Sequence, residues 1–172
     1  MSKNELKSYL ADLSKEQLED QILDLYARFR QVKTFYDFAF RPNEDKLLEE
    51  ARFKVGKEYF PINGRKAKKR PSVAQKFIRH FKKLELDPLL LADFMIFNIE
   101  TAQAYCAENK MNKSAFFKSM FNSYNEAAEF IREKGLRAEF IPRMERIVEI
   151  NFEQNWPNSD QFKIVLETLK ER

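Results

Sequence analysis

Apolar residues return at spacings of three and four along nearly the whole chain, and no stretch alternates with the two-residue period of a half-buried strand. Leu18, Ile22, Leu25, Phe29, Val32 and Tyr36 make the longest such run. On a helix these side chains share one face, so the run predicts a stripe about 36 Å long if the helix reaches Phe38. The same period recurs through Leu47, Leu48, Ala51, Val55 and Tyr59, through Phe116 to Ile131, and through Phe162, Val165, Leu166 and Leu169. Short connections between such segments imply antiparallel neighbours. The expectation is an all-α single domain over residues 1–172, with about seven to eight antiparallel helices in a bundle or a short solenoid-like stack of helical hairpins.

Start and stop signals divide the pattern. Ser2 with Glu5 and Ser14 with Gln17 fit the capping box, in which the side chains of both residues satisfy orphan amides at a helix start. Arg41-Pro42 stops the second helix, and Asn43 is placed to cap the third. Pro61 to Pro71 is the sharpest interruption: two prolines bracket Asn63-Gly64 and the run Arg65-Lys66-Ala67-Lys68-Lys69-Arg70, which reads as a loop. Ser72 is expected to cap a fourth helix with Val73, Phe77, Ile78, Phe81 and Leu84 inside. Asp87-Pro88 starts a fifth, apolar nearly all round in its first half and therefore expected at the centre. Gly135 ends a sixth, Pro142 is expected to divide the next, and Ser159 to cap the last.

At 172 residues, with 17 Phe and one cysteine, the chain is large enough to build its core without a disulfide or metal staple. Cys106, among Ile99, Ala102 and Tyr105, reads as a small buried hydrophobe in a reducing compartment. The N-terminus mixes charges before any apolar run, unlike a secretory signal. The apolar stretch Leu89 to Ile99 falls short of the roughly 20 residues of a membrane span. The expected location is cytoplasmic.

Charge is distributed unevenly. Between Pro61 and Leu84 stand nine basic residues and no acid, whereas the remainder carries 22 basic against 27 acidic residues. All of the +4 net charge therefore comes from this one segment. Arg65, Lys66, Lys68, Lys69, Arg70, Lys76, Arg79 and Lys83 form a candidate polyanion-binding surface, with Lys76, Arg79 and Lys83 opposite the Phe77 and Phe81 side of the fourth helix. Such a surface attracts phosphates with salt-dependent, largely sequence-independent affinity. No zinc-finger spacing, RNP-type strand motif or basic zipper accompanies it. The simpler reading is a solvated face, or pairing with an acidic neighbour such as Glu49-Glu50. No apolar wedge for a lipid surface is evident beside it.

Other chemistry is sparse. His80 is the only histidine, so it lacks companions for a zinc or triad site. Asp93 and Glu100 are seven apart on the most apolar helix, about 10 Å along its axis and too far to share a proton. They read as a solvent stripe, or as ion pairs with the cationic fourth helix, before they read as acid/base groups. Gly56, Gly64 and Gly135 are isolated and make no phosphate-cradling loop. The aromatic run Phe35 to Phe40 exceeds what one helical stripe can bury, which points to a wide interface with other helices or with a partner chain.

Leu13-Ser14-Lys15-Glu16-Gln17-Leu18, Phe35-Tyr36-Asp37-Phe38, Pro42-Asn43-Glu44, Glu58-Tyr59-Phe60-Pro61, Lys66 to Arg70 with Ser72, Ala74-Gln75-Lys76 and Asp87-Pro88 with Ala92-Asp93 resemble a bacterial domain-of-unknown-function family. The resemblance implies an all-helical bacterial protein and assigns no functional residue. Two partner classes therefore stay open: a protein or other acidic partner held by a non-enzymatic binding or scaffold module, and nucleic acid held by residues 65–83. An enzyme, with Asp93 and Glu100 as its acids, is the remaining alternative. No cofactor is expected.

Overall fold

The computed structural model describes residues 2–40, 43–62 and 64–171. Among these residues it contains nine helices and no strand. The expected stop at Arg41-Pro42 and the Asn63 of the expected turn lie outside the described residues. Two compact units divide the chain, Met1–Asn43 and Glu44–Arg172.

The first unit holds α1 (Lys3–Ala11), α2 (Lys15–Arg28) and α3 (Arg30–Phe40). Both capping boxes form: the Glu5 and Gln17 amides donate to the hydroxyls of Ser2 and Ser14 at 3.3 and 3.2 Å, and the Glu5 and Gln17 side chains accept in return from the Ser2 and Ser14 amides. The helix expected to reach Phe38 is instead two. Phe29 is extended (φ −115°, ψ 111°), and α3 packs on α2. The Tyr26 hydroxyl then donates to Asp37 at 2.6 Å, and the Tyr26 and Tyr36 rings lie 6.5 Å apart. In one straight helix these residues would stand roughly 15 Å apart along the axis. The contact between α2 and α3 thus overrides a periodicity that neither Gly nor Pro interrupts.

The second unit holds α4 (Glu44–Tyr59), α5 (Ser72–Leu84), α6 (Pro88–Glu108), α7 (Ser114–Glu133), α8 (Arg137–Glu153) and α9 (Ser159–Lys170). Asp87 caps α6, its carboxylate accepting from the Leu89 and Leu90 amides, with Pro88 at the first position. Helix α6 packs against α4, α5, α7 and α8, and buries Leu91, Phe94, Met95, Ile96 and Ile99. An element with four helical neighbours makes this unit a bundle around α6; in a solenoid each repeat touches only the next.

Three helix ends depart from expectation. Ser72 and Ser159 are first helical residues with no capping bond; the Ser159 hydroxyl donates to the Trp156 carbonyl instead. Pro142 lies inside an unbroken α8, near its start, so it deletes one hydrogen bond of the first turns. The buried face of Phe140, Met144, Ile147 and Val148 continues across it. Gly135 closes α7 with φ +70°, its amide bonding the Arg132 carbonyl while the Leu136 amide reaches Ile131. The break at Phe29 adds a helix and the undivided α8 removes one, and the described residues hold nine, against the seven to eight expected.

Candidate cationic surface

Helix α4 ends at Tyr59, and the chain returns beside it before α5 begins. The return is fastened at one point. The Lys69 amide donates to the Glu58 carbonyl at 2.9 Å, and Arg70 donates from Nε and Nη2 to the two Glu58 carboxylate oxygens at 2.8 and 2.7 Å. Glu58 is buried, and Arg70 beside it, with a further contribution from Lys68, holds its carboxyl below the usual range. Lys69 takes φ +53° to make this turn, and its Nζ lies 5.6 Å from the Tyr105 ring centre. The second candidate group sits on α5. Lys76, Arg79 and Lys83 are exposed, spread over about 10 Å of one outer face, while Ala74, Ile78, Phe81 and Leu84 fill the opposite face.

Charge compensation sorts the eight candidates. Arg70 is neutralised by Glu58. Lys69 lies over the Tyr105 ring and, like Arg65, Lys66, Lys68, Lys76, Arg79 and Lys83, forms no ion pair with the described residues; Arg79 uses Nε on the Gln75 carbonyl of its own helix. The acidic partners of this segment are Glu58 and, for Lys82, Glu126 at 2.8 Å; Glu49-Glu50 is not among them, Glu50 standing 3.5 Å from Lys54. His80 is exposed, its ring 6.0 Å from that of Phe81.

The surface is also less uniformly polar than its sequence suggests. Phe60 and Ile62, immediately before the basic run, are 44% and 49% exposed, and Phe53 on α4 is 56% exposed. Exposed apolar side chains thus do stand beside the basic run, where α4 ends at Tyr59 ahead of Pro61. The signal was present as two large apolar residues flanking a proline.

Asp93 and Glu100 do share a face of α6, but their partners are not on α5. Arg143 of α8 donates from Nε and Nη2 to Glu100 at 3.0 and 2.8 Å and from Nη1 to Asp93 at 2.5 Å; Arg52 of α4 pairs with the other Asp93 oxygen. Below them Gln103 donates at 2.8 Å to both the Ile147 carbonyl and Asn151. Asp93 and Glu100 meet Arg143, and Gln103, further along α6, meets Ile147 and Asn151, further along α8, so the two helices run parallel. The carboxylates serve as struts between helices. Cys106 is half-buried, and burial pushes its thiol up to about 11, so the thiolate is scarce at neutral pH.

Among the described residues no helix is long and apolar enough to cross a membrane. Among the described residues the protein is all-helical, with no strand. The chain belongs to the family of unknown function DUF6155, whose model matches residues 1–170. No curated protein and no solved structure matches it.

Proposed function

We propose that the chain is a non-enzymatic binding module that holds an acidic partner on the surface formed by residues 65–83. One observation carries this reading: in a stretch without a single acid, six cations besides Lys69 on the Tyr105 ring form no ion pair with the described residues, while Arg70 is spent on fastening the loop that presents them. A surface evolved only for solubility needs no such fastening. The non-enzymatic half draws on the engagement of Asp93 by Arg52 and Arg143 and of Glu100 by Arg143, which ties both carboxylates to neighbouring helices. Nucleic acid is the acidic partner with the densest regular charge. If all six cations contact phosphates, the logarithm of affinity for a single strand falls against the logarithm of salt with a slope of about −4.

The test is fluorescence anisotropy with labelled oligonucleotides across a salt series. The native chain is compared with a variant carrying Arg65→Gln, Lys66→Gln, Lys68→Gln, Lys76→Gln, Arg79→Gln and Lys83→Gln, in which Arg70 still holds the loop. Binding that the variant loses together with its salt slope is the expected result; equal binding by both chains would remove the surface from the reading.

A second reading, a scaffold for a protein partner, draws on the first unit. None of the described residues in α1, α2 or α3 is buried. Ile22, Leu23, Tyr26, Tyr36 and Phe40 line a groove of about 960 Å³, and Phe40 is 80% exposed.

A further inference from the structure

Resting on the acidic-partner reading above, we propose that the partner is single-stranded nucleic acid, with Phe60 as the ring on which an unpaired base stacks and Phe53 as a second platform along the same strand path.

Three placements lead to this. Phe60 is not a loose side chain: its ring meets Tyr105 edge-on at 6.0 Å, and Tyr105 is buried, so the exposed part of Phe60 is backed by the core. The same Tyr105 ring receives Lys69 at 5.6 Å, which ties the exposed aromatic and the basic loop to one spot on the surface. Phe53 precedes Phe60 by two helical turns, about 10 Å along α4, on the outward side away from buried Leu48, Ala51 and Val55. Between them Lys57 places its ammonium 4.9 Å from the Phe53 ring centre. In chain order the exposed residues then read aromatic (Phe53), cation (Lys57), aromatic (Phe60), aliphatic (Ile62), followed by Arg65, Lys66 and Lys68.

Phe53 and Phe60 hold ring surface open to water beside cations, a combination that suits a ligand carrying both flat apolar faces and negative charge. A duplex would satisfy the cations but keeps its bases stacked inside, leaving Phe53 and Phe60 wet. An unpaired strand offers phosphates to the cations and base faces to the rings, and bases stack on aromatic side chains whatever their sequence. An anionic bilayer would need the rings to project past the charges, whereas Phe53 lies along the flank of a rigid helix under an ammonium group.

The experiment measures binding of the full chain to a labelled 20-residue oligo-dT or oligo-rU strand, to a duplex of equal length, and to phosphatidylserine-containing vesicles. Native chain, Phe60→Ala, Phe53→Ala, Phe60→Trp and the six-site charge variant are compared, with the thermal transition of each recorded to show that it folds. The expected result is tighter binding of the single strand than of the duplex. Phe60→Ala should weaken single-strand binding about tenfold, with its salt slope and duplex binding unchanged, and Phe60→Trp should retain it. Single-strand affinity unchanged in both alanine variants, with the charge variant still defective, overturns the stacking role and leaves the polyanion reading standing. No oligonucleotide binding by the native chain overturns both. Vesicle binding that Phe60→Ala abolishes, without oligonucleotide binding, assigns the strip to lipid and overturns the proposal.

Discussion

Arg70 sets two guanidinium nitrogens against the two carboxylate oxygens of Glu58, twelve residues earlier, and so closes the loop that carries the basic run. Because the carboxyl is held below its ordinary value of 4.5, the folded state binds the Glu58 proton more weakly than the unfolded chain does. The contribution is therefore complete above about pH 4.5 and is lost as pH falls through the lower folded value. Glu58→Gln should lower the thermal transition at pH 7, with the gap to the native chain closing as pH falls below 4.5. Melting curves from pH 3 to 7 check it; a gap independent of pH would deny the pair this role. The same variant should open the loop to trypsin at neutral pH.

Arg143 stands between Asp93 and Glu100 as Arg52 stands beside Asp93. Arg143→Met leaves Glu100 with no guanidinium and Asp93 with one. These groups are roughly one-third exposed, so solvent screens them and the loss is set at about 1–2 kcal/mol, below that of a fully buried pair. Urea unfolding provides the value. Glu100→Gln in the Arg143→Met background should restore part of it, since an unpaired carboxylate is thereby removed.

Asn98 is 0% exposed, and neither its Oδ1 nor its Nδ2 meets a partner among the described residues. Desolvating an amide without a hydrogen bond is unfavourable, and Leu has nearly the same shape. Asn98→Leu should raise stability by about 1 kcal/mol in urea unfolding. A loss of similar size would show that the amide binds an internal water.

Cys106 should be slow to alkylate. With its thiol pushed from 9.0 to about 11 by burial, the thiolate fraction at pH 7.5 is roughly a hundredfold below that of an unperturbed thiol. Iodoacetamide labelling of native and urea-unfolded chain measures the ratio; comparable rates would contradict the burial.

What the sequence determined by itself is what acts over one or two helical turns. The capping boxes at Ser2 and Ser14, Asp87-Pro88 ahead of α6, Gly135 after α7 and the apolar stripes are local signals, because a helix satisfies its own backbone within four residues. The concentration of charge between Pro61 and Leu84 is equally legible, since it depends on composition alone. The tertiary structure decided what depends on neighbours distant in the chain. Phe29 bends a regular stripe because α3 packs back on α2, and Pro142 passes unbroken because the buried face of α8 outweighs one missing hydrogen bond. Likewise Glu58 selects Arg70, and Asp93 and Glu100 select Arg143. Among 31 basic and 27 acidic side chains, composition cannot choose partners. Coulomb attraction strong enough to hold a pair acts over a few ångströms, and only the folded bundle sets which charges come that close.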